Sequence, residues 1–416
     1  MIDLLKGMKV VEMANFVAGP TAGRVLGEWG AEVIKVEPLT GDGSRGCGLA
    51  RNILNGDTAA YEAFNACKKS VAIDTRKPEG LALLKEMLKQ SDVFITHLRD
   101  NAAKKLGLDY DSLKELNPGL ICASTSGYGL TGPMAARGGF DAVSYAARCG
   151  FTVDTAAKGS LPLLTYFGYG DIPTGTYLAM AIMAAYIRKL RTGEGDQVVS
   201  ALMHCGMWTA NIPIVTAAYG DKYPASLETA FPMNRPYQCK DGEWIAVCGL
   251  TWEKNFADLV RVANLPQEYL EKWPDYMSAM RGAKELCPII AEVFMREDRA
   301  YWEKVLDEET DIPFDICQHF SDLQNDRQAW EAGFFCESEQ RSGKKVGIVT
   351  APAQFRNAGK AELFSGYVGA ESREVLKSLG YTDEQIDEMR ANKLIAEGDQ
   401  WNPDMYNMLK YMSAKK

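Results

Sequence analysis

The stretch Gly168-Tyr-Gly-Asp-Ile-Pro-Thr-Gly175 sets one carboxylate, Asp171, among glycines and just ahead of an apolar helical run. Glycine lets a substrate come close to the main chain, and Gly168 and Gly170 can offer N–H groups to a developing oxyanion. A helix N-terminus favours the ionised form of a carboxylate, and a carboxylate can act as a nucleophile where water is kept out. The same placement also suits an aspartate that only caps the helix. From these residues alone both readings stand.

Other chemistries lack their residues. There is no Gly-x-Gly-x-x-Gly opening a helix and no Gly-x-x-x-x-Gly-Lys-Ser/Thr, so the usual dinucleotide and triphosphate loops are not expected. There is no Gly-x-Ser-x-Gly elbow, which weakens a serine hydrolase. His97, His204 and His319 are far apart and the ten cysteines form no Cys-x-x-Cys pair, so no metal site and no disulfide framework is expected. Scattered reduced thiols suit a cytoplasmic protein. The N-terminus shows no basic leader followed by a long apolar run, so no signal peptide is expected. The most apolar stretch, 178–187, is too short to span a bilayer. A formal net charge of −9 argues against non-specific nucleic-acid or anionic-membrane binding, while leaving room for a local basic site.

The elements that must position Asp171 follow from the pattern of apolar runs. With 416 residues, 46% hydrophobic and 24% charged, the chain can fill a large domain and a smaller one. Strand signals at 9–13, 32–37, 71–74, 92–96 and 120–124 alternate with helix signals at 22–29, 78–90 and 101–106. This βαβ rhythm predicts a parallel sheet with helices on both faces, with ligands outside the carboxyl ends of its strands. The run 174–191 is apolar nearly all round, which predicts a buried helix, with Pro173 in its first turn and Gly193 at its end. From about residue 223 the character changes. The turn and strand at 240–247 and helical runs at 253–263 and 285–307 read as a smaller α+β domain. Helices at 371–379 and 383–392 then form a tail able to return to the first domain.

Taken in order, several segments resemble the family III CoA-transferases, the group that includes formyl-CoA and carnitine CoA-transferases. They are Leu5-Lys-Gly-Met-Lys-Val-Val-Glu, Ala18-Gly-Pro, Leu26-Gly-Glu-Trp-Gly-Ala-Glu-Val-Ile-Lys-Val-Glu-Pro and Gly41-Asp-Gly-Ser-Arg45. Next come Asn65-Ala-Cys-Lys-Lys-Ser, Ser126-Gly-Tyr-Gly-Leu-Thr-Gly-Pro133, Phe140-Asp, Gly170-Asp and Arg191-Thr-Gly-Glu-Gly195. No one motif is unique, but the ordered set is specific over about the first half of the chain.

The resemblance implies a Rossmann-like parallel-sheet large domain at 1–215, a small α+β domain at 223–325 and a linker with C-terminal helices at 326–416, assembled as an interlocked homodimer. It makes Asp171 the covalent nucleophile that takes CoA from an acyl-CoA through a mixed anhydride and an aspartyl-CoA thioester. CoA and acyl-CoA enter as substrates, with no permanently bound cofactor and no metal. The resemblance places Phe16, Val17 and Ala18 near the thiol end and the catalytic centre. It sets the stretch from Ile73 to Arg76 at the adenine and phosphates, with further CoA contacts at His97, Leu98, Lys105 and Leu106 and a weaker match at Arg137. Arginine and lysine suit the phosphate charges of CoA.

Three further features narrow the reading. The racemase branch of the same fold carries a histidine where this chain has Phe140, so the proton carrier that α-proton exchange needs is missing. A carboxylate at the thioester also has no use in a protein that only binds CoA. Met13-Ala-Asn-Phe-Val-Ala-Gly-Pro, Ala147-Arg-Cys-Gly150, Ser200-Ala-Leu-Met-His204 and Asp311-Ile-Pro-Phe314 look most like the branch acting on phenyllactate and cinnamoyl-CoA, or on 2-hydroxyisocaproate. Bile acids and carnitine-type acids are the alternatives. Phe16, Tyr145, Tyr166, Phe167 and Tyr169 are candidates for an apolar pocket near Asp171.

Overall fold

The computed structural model describes residues 2–45, 59–224, 226, 230–340, 342–359 and 362–398. Cys47 lies outside the described residues. The chain divides into two compact units, one of residues 1–149, 165–211 and 327–416, the other of 150–164 and 212–326.

The first unit is built on strands β1 (Lys9–Met13), β2 (Glu32–Glu37), β3 (Lys69–Ile73), β4 (Val93–Thr96), β5 (Ile121–Ser126) and β6 (Gln197–Ala201). They pair in parallel in the order 3-2-1-4-5-6. This is the doubly wound arrangement, whose strand order reverses at β1 and β4 and leaves a crevice at their carboxyl ends. The loops after β1, β3 and β4 therefore open on one edge of the sheet.

The strands are apolar because a parallel sheet is covered on both faces. One face packs Val11, Val36, Val71 and Phe94 against Leu84, Leu88 and Leu113, and the other packs Val10, Val33 and Ile95 against Leu26, Leu178 and Ile182. The strand residues Glu12, Lys35 and Glu37 break this rule, for each is a charged side chain buried to 1% exposure or less.

The helix Ala18–Glu28 starts earlier than the sequence pattern predicts, because Gly19 and Pro20 belong to its first turn rather than to a loop. The longest helix runs from Asp171 to Thr192 and ends on Gly193 in the left-handed conformation. Asp171 is its first helical residue, after Gly170 at the cap.

The expectation that this helix is buried all round does not hold for the single chain. Thr174, Gly175, Leu178, Ala179 and Ile182 form a buried stripe, while Met180, Ile187 and Leu190 stand exposed. A run of apolar residues shows that a helix has surface to cover, not whether its own chain covers it.

In the second unit, strands β7 (Asn234–Gln238), β8 (Trp244–Cys248) and β9 (Phe314–Ile316) form an antiparallel sheet in that order. Helices Trp252–Val262, Ala283–Phe294 and Arg299–Glu309 supply Trp252, Phe256, Leu286, Ile290 and Trp302 to its core.

The chain then re-enters the first unit. Strands β10 (Phe335–Glu339) and β11 (Lys345–Val349) pair as a hairpin. Helices Ser372–Ser378 and Asp383–Ala391 follow, and β12 (Ile395–Ala396) adds antiparallel to β3. Ser372 Oγ fixes this return by accepting the Ala72 N–H at 3.1 Å and donating to Ala396 O at 2.7 Å.

Candidate active site

Asp171 sits where the Asp171–Thr192 helix meets the segment that precedes it, and is half-buried. Its carboxyl is pushed up from 3.8 to about 7, first by burial and then by the nearby charge of Asp141. The helix N-terminus favours the anion, so desolvation outweighs the helix here. A carboxylate that ionises near neutrality is more basic than an ordinary aspartate and a better nucleophile.

Asp141 heads a short helix, Asp141–Ala147, wound as a π-helix, a form that recurs at functional sites. Its Oδ2 accepts the Gly168 N–H at 2.8 Å, while Oδ1 accepts the Ala142 N–H at 2.6 Å. Gly168 holds φ at 85°, in the left-handed region open to glycine. Its N–H is thus committed to Asp141, and the oxyanion-donor role expected of Gly168 is closed in this conformation.

Gly170 is buried against Tyr145. A Cβ placed there would come within 2.3 Å of the ring's Cγ. Tyr145 is itself 2% exposed and donates its hydroxyl to Thr209 Oγ1 at 2.9 Å. Tyr145, Tyr169 and Tyr166 pack edge to face, with centroids 6.0 and 5.4 Å apart. Two of the five aromatics considered for an apolar pocket, Tyr145 and Tyr169, thus belong to the packed wall behind Gly170, whereas Phe16, Tyr166 and Phe167 are exposed.

The loop after β1 lies against this segment. Val17 Cγ1 lies 3.7 Å from where a Cβ of Gly168 would stand, and Ala18 O is 2.3 Å from that of Gly175. Phe16 has φ 64° although it is not glycine, and 42% of its surface is exposed. Asn15 donates its N–H to His97 Nδ1 at 3.3 Å, which ties the β1 loop to the β4 loop across the strand-order reversal. An accepting Nδ1 means that this imidazole is neutral.

The remaining CoA candidates are spread along the same sheet edge and beyond it. Ile73 ends β3 with its side chain in the core, 1% exposed, and its main chain is paired with Ile395 of β12. Arg76 is exposed in the following turn, where its Nε and Nη2 donate to Asp74 at 2.8 and 3.0 Å. Leu98 and Leu106 pack on the core, and Lys105 is exposed on the helix Asp100–Leu106. Arg137 is exposed, 5.8 Å above the Tyr128 ring. The structure thus sets Val17 beside Gly168 and Ala18 beside Gly175, in the segment that carries Gly170 and Asp171, whereas Arg76 and Arg137 lie on separate turns and Lys105 on the helix Asp100–Leu106.

Sequence reasoning missed two features. One is Asp141 as the charge beside Asp171. The other is a buried ion network beneath the β1 loop. Lys35 Nζ reaches Glu12 Oε1 at 2.8 Å, Ala14 O at 2.7 Å and Asp42 Oδ2 at 2.9 Å. Lys68 Nζ lies 2.7 Å from Glu12 Oε2 and donates to Pro20 O at 2.7 Å and Asn65 Oδ1 at 2.8 Å. Arg45 bridges both oxygens of Glu37. Charged residues inside parallel strands were the available signal, since such strands are otherwise continuously apolar.

Comparison with known proteins agrees with this architecture. The family model for CoA-transferase family III matches residues 5–363. The (R)-2-hydroxy-4-methylpentanoate CoA-transferase of Clostridioides difficile is 36% identical over 94% of this chain and 99% of its own length. The cinnamoyl-CoA:phenyllactate CoA-transferase of Clostridium sporogenes is 34% identical over 94% and 97%. Among solved structures, a CAIB/BAIF family protein from Brucella suis superposes with a TM-score of 0.79 at 28% identity, covering 91% of this chain and 100% of that one. An α/β unit with a 3-2-1-4-5-6 sheet, in a chain that the family model matches over residues 5–363 and the two curated relatives over 94% of its length, places the chain in CoA-transferase family III.

Proposed function

We propose that this CoA-transferase moves CoA between an acyl-CoA and a 2-hydroxy acid with an apolar side chain, through covalent intermediates on Asp171. The observation that carries the mechanism is a half-buried carboxyl at a helix N-terminus whose ionisation is pushed up to about 7. A carboxylate oxygen of Asp171 attacks the thioester carbonyl, the C–S bond breaks, and CoA thiolate leaves a mixed anhydride. The thiolate attacks the aspartyl carbonyl and expels the donor acid, giving an aspartyl-CoA thioester. The acceptor carboxylate attacks that thioester and releases the thiolate. The thiolate then attacks the acceptor's acyl carbonyl in the second anhydride and frees Asp171. No net proton is consumed, so one carboxylate suffices provided water is excluded.

The substrate class rests on the two relatives, one named for (R)-2-hydroxy-4-methylpentanoate (2-hydroxyisocaproate) and the other for phenyllactate and cinnamoyl-CoA. Both acids carry an apolar side chain beside a 2-hydroxyl. In this reading the carboxyl ends of β1, β3 and β4 hold CoA, with Phe16–Ala18 at the thiol, Ile73 to Arg76 at the adenine and phosphates, His97, Leu98, Lys105 and Leu106 as further CoA contacts, and Arg137 as another phosphate contact. Among the described residues no helix is long and apolar enough to cross a membrane, and the reading places the enzyme in the cytoplasm, without a metal. It works as an interlocked homodimer, whose partner would cover Met180, Ile187 and Leu190. Light scattering on diluted enzyme should then show no folded monomer.

Competition among phenyllactate, 2-hydroxyisocaproate, lactate, carnitine and a bile acid tests the substrate. An aryl or branched side chain should raise kcat/KM about tenfold or more over acetate, roughly what burying two methylenes contributes. Preference for carnitine or a bile acid would refute the 2-hydroxy-acid assignment.

A further inference from the structure

A bulky residue with φ near +60° is a strained outlier, and such strain persists only where its surroundings impose it. Phe16 is the case here, at φ 64°. Its N–H donates to Asp42 Oδ1 at 3.2 Å, and the same oxygen accepts the Ser44 N–H at 2.8 Å and hydroxyl at 2.9 Å. The other carboxylate oxygen, Oδ2, lies 2.9 Å from Lys35 Nζ. Asp42 and Lys35 are both buried to 2% exposure or less. Lys35 is in turn held to β1 through Glu12 and Ala14 O. Phe16 is thus fastened from below by a buried ion pair, and its ring lies over Gly43, whose Cβ would stand 3.5 Å from it.

We propose that Asp42 is a positioning residue of the transfer site. By holding Phe16 in the left-handed conformation it sets the β1 loop, and with it Val17, as a wall beside the Gly168–Asp171 segment that keeps water from the aspartyl anhydride. This inference rests on the reading of Asp171 as nucleophile and adds to it the residues that protect the intermediate. The acyl anhydride has two fates: thiolate attack continues transfer, while water returns both acids and leaves CoA free. A displaced wall favours the second fate.

Two changes isolate the effect. Asp42→Asn keeps the shape but must aim its NH2 either at Lys35 or at the N–H groups of Phe16 and Ser44, so one side of the clamp fails. Phe16→Gly takes the ring out of the wall and gives the loop freedom to leave φ 64°, and on an exposed residue it should fold. Acyl-CoA hydrolysis and CoA transfer are measured together in wild type, both single variants and the double variant. Both single variants should raise the ratio of hydrolysis to transfer about tenfold. The double variant should be no worse than the worse single one, because Asp42 acts through Phe16. An unchanged ratio in Phe16→Gly, or additive losses, would overturn the proposal.

A second readout needs no activity. With Asp42 present, Phe16→Gly should unfold at a higher temperature than Phe16→Ala, because only glycine takes φ 64° without strain. In the Asp42→Asn background that gap should close, and a gap that persists would show that Asp42 does not impose the conformation. Wild-type enzyme that transfers no CoA would refute the nucleophile reading instead, and the unfolding comparison would still decide the clamp.

Discussion

Replacing Asp141 by asparagine separates the two causes that raise Asp171. The Asp171 carboxyl rises by about 3 pH units, from 3.8 to about 7, and Asp141 is the smaller of the two contributors after burial. Asp141 therefore accounts for less than half of the rise, under about 1.6 pH units or roughly 2 kcal/mol. The Asn variant can still accept the Gly168 N–H through its carbonyl oxygen, so the loop geometry that depends on that 2.8 Å bond survives. Only the ionised carboxylate attacks a thioester. In wild type, kcat/KM for acyl-CoA should thus climb through about pH 7 and level off above it. In Asp141→Asn the climb should move down by about one pH unit while the plateau changes less than about threefold. The assay is kcat/KM at low acyl-CoA across about pH 5 to about pH 9. A climb that stays in place would show that Asp141 does not set the ionisation of Asp171. A rate that falls with rising pH would contradict nucleophilic attack by the carboxylate.

Other expected outcomes follow from the same geometry. Because the folded state holds the Asp171 proton up to about pH 7 and the unfolded chain releases it near pH 4, wild type loses stability as pH rises through that window. Asp171→Asn should therefore unfold at a higher temperature than wild type above about pH 7, by on the order of 2 kcal/mol for a half-buried group, with the difference gone near pH 4. Lys35→Met leaves Asp42 and part of Glu12 buried without their cation and should cost about 3–5 kcal/mol in urea unfolding. Gly170→Ala drives a methyl into the Tyr145 ring and should cost about 1–3 kcal/mol, with transfer activity falling alongside.

Much of the first unit was legible because its strands obey simple rules. The runs at 9–13 and 32–37 read as strands and are β1 and β2. Asp171 stood out because a carboxylate between glycines ahead of a long apolar run is unusual, and the ordered family motifs then gave it a role. What stayed hidden depends on contacts distant in sequence. β6 follows a helix end and a turn, and it is recognisable as a strand only once β5 pairs with it. β12 is two residues long and owes its place to β3 and Ser372. Asp141 reaches Gly168 across 27 residues, and Lys35 meets Glu12 across 23. A charged residue inside an apolar strand marks Lys35 and Glu12 as unusual, but nothing local names the partner of either, or that of Asp141. The strained backbone of Phe16 is a tertiary effect, since a phenylalanine gives no hint of positive φ until Asp42 is seen beneath it.

The central claim is that CoA becomes covalently attached to Asp171. The direct measurement is the intact mass of the enzyme after brief exposure to an acyl-CoA without an acceptor acid, followed by hydroxylamine and peptide mapping. The account predicts protein carrying one CoA per chain, converted by hydroxylamine to a hydroxamate on the peptide containing Asp171, with neither product in Asp171→Ala. Wild-type transfer rates in Asp171→Ala, or an adduct mapped to any other residue, would contradict it.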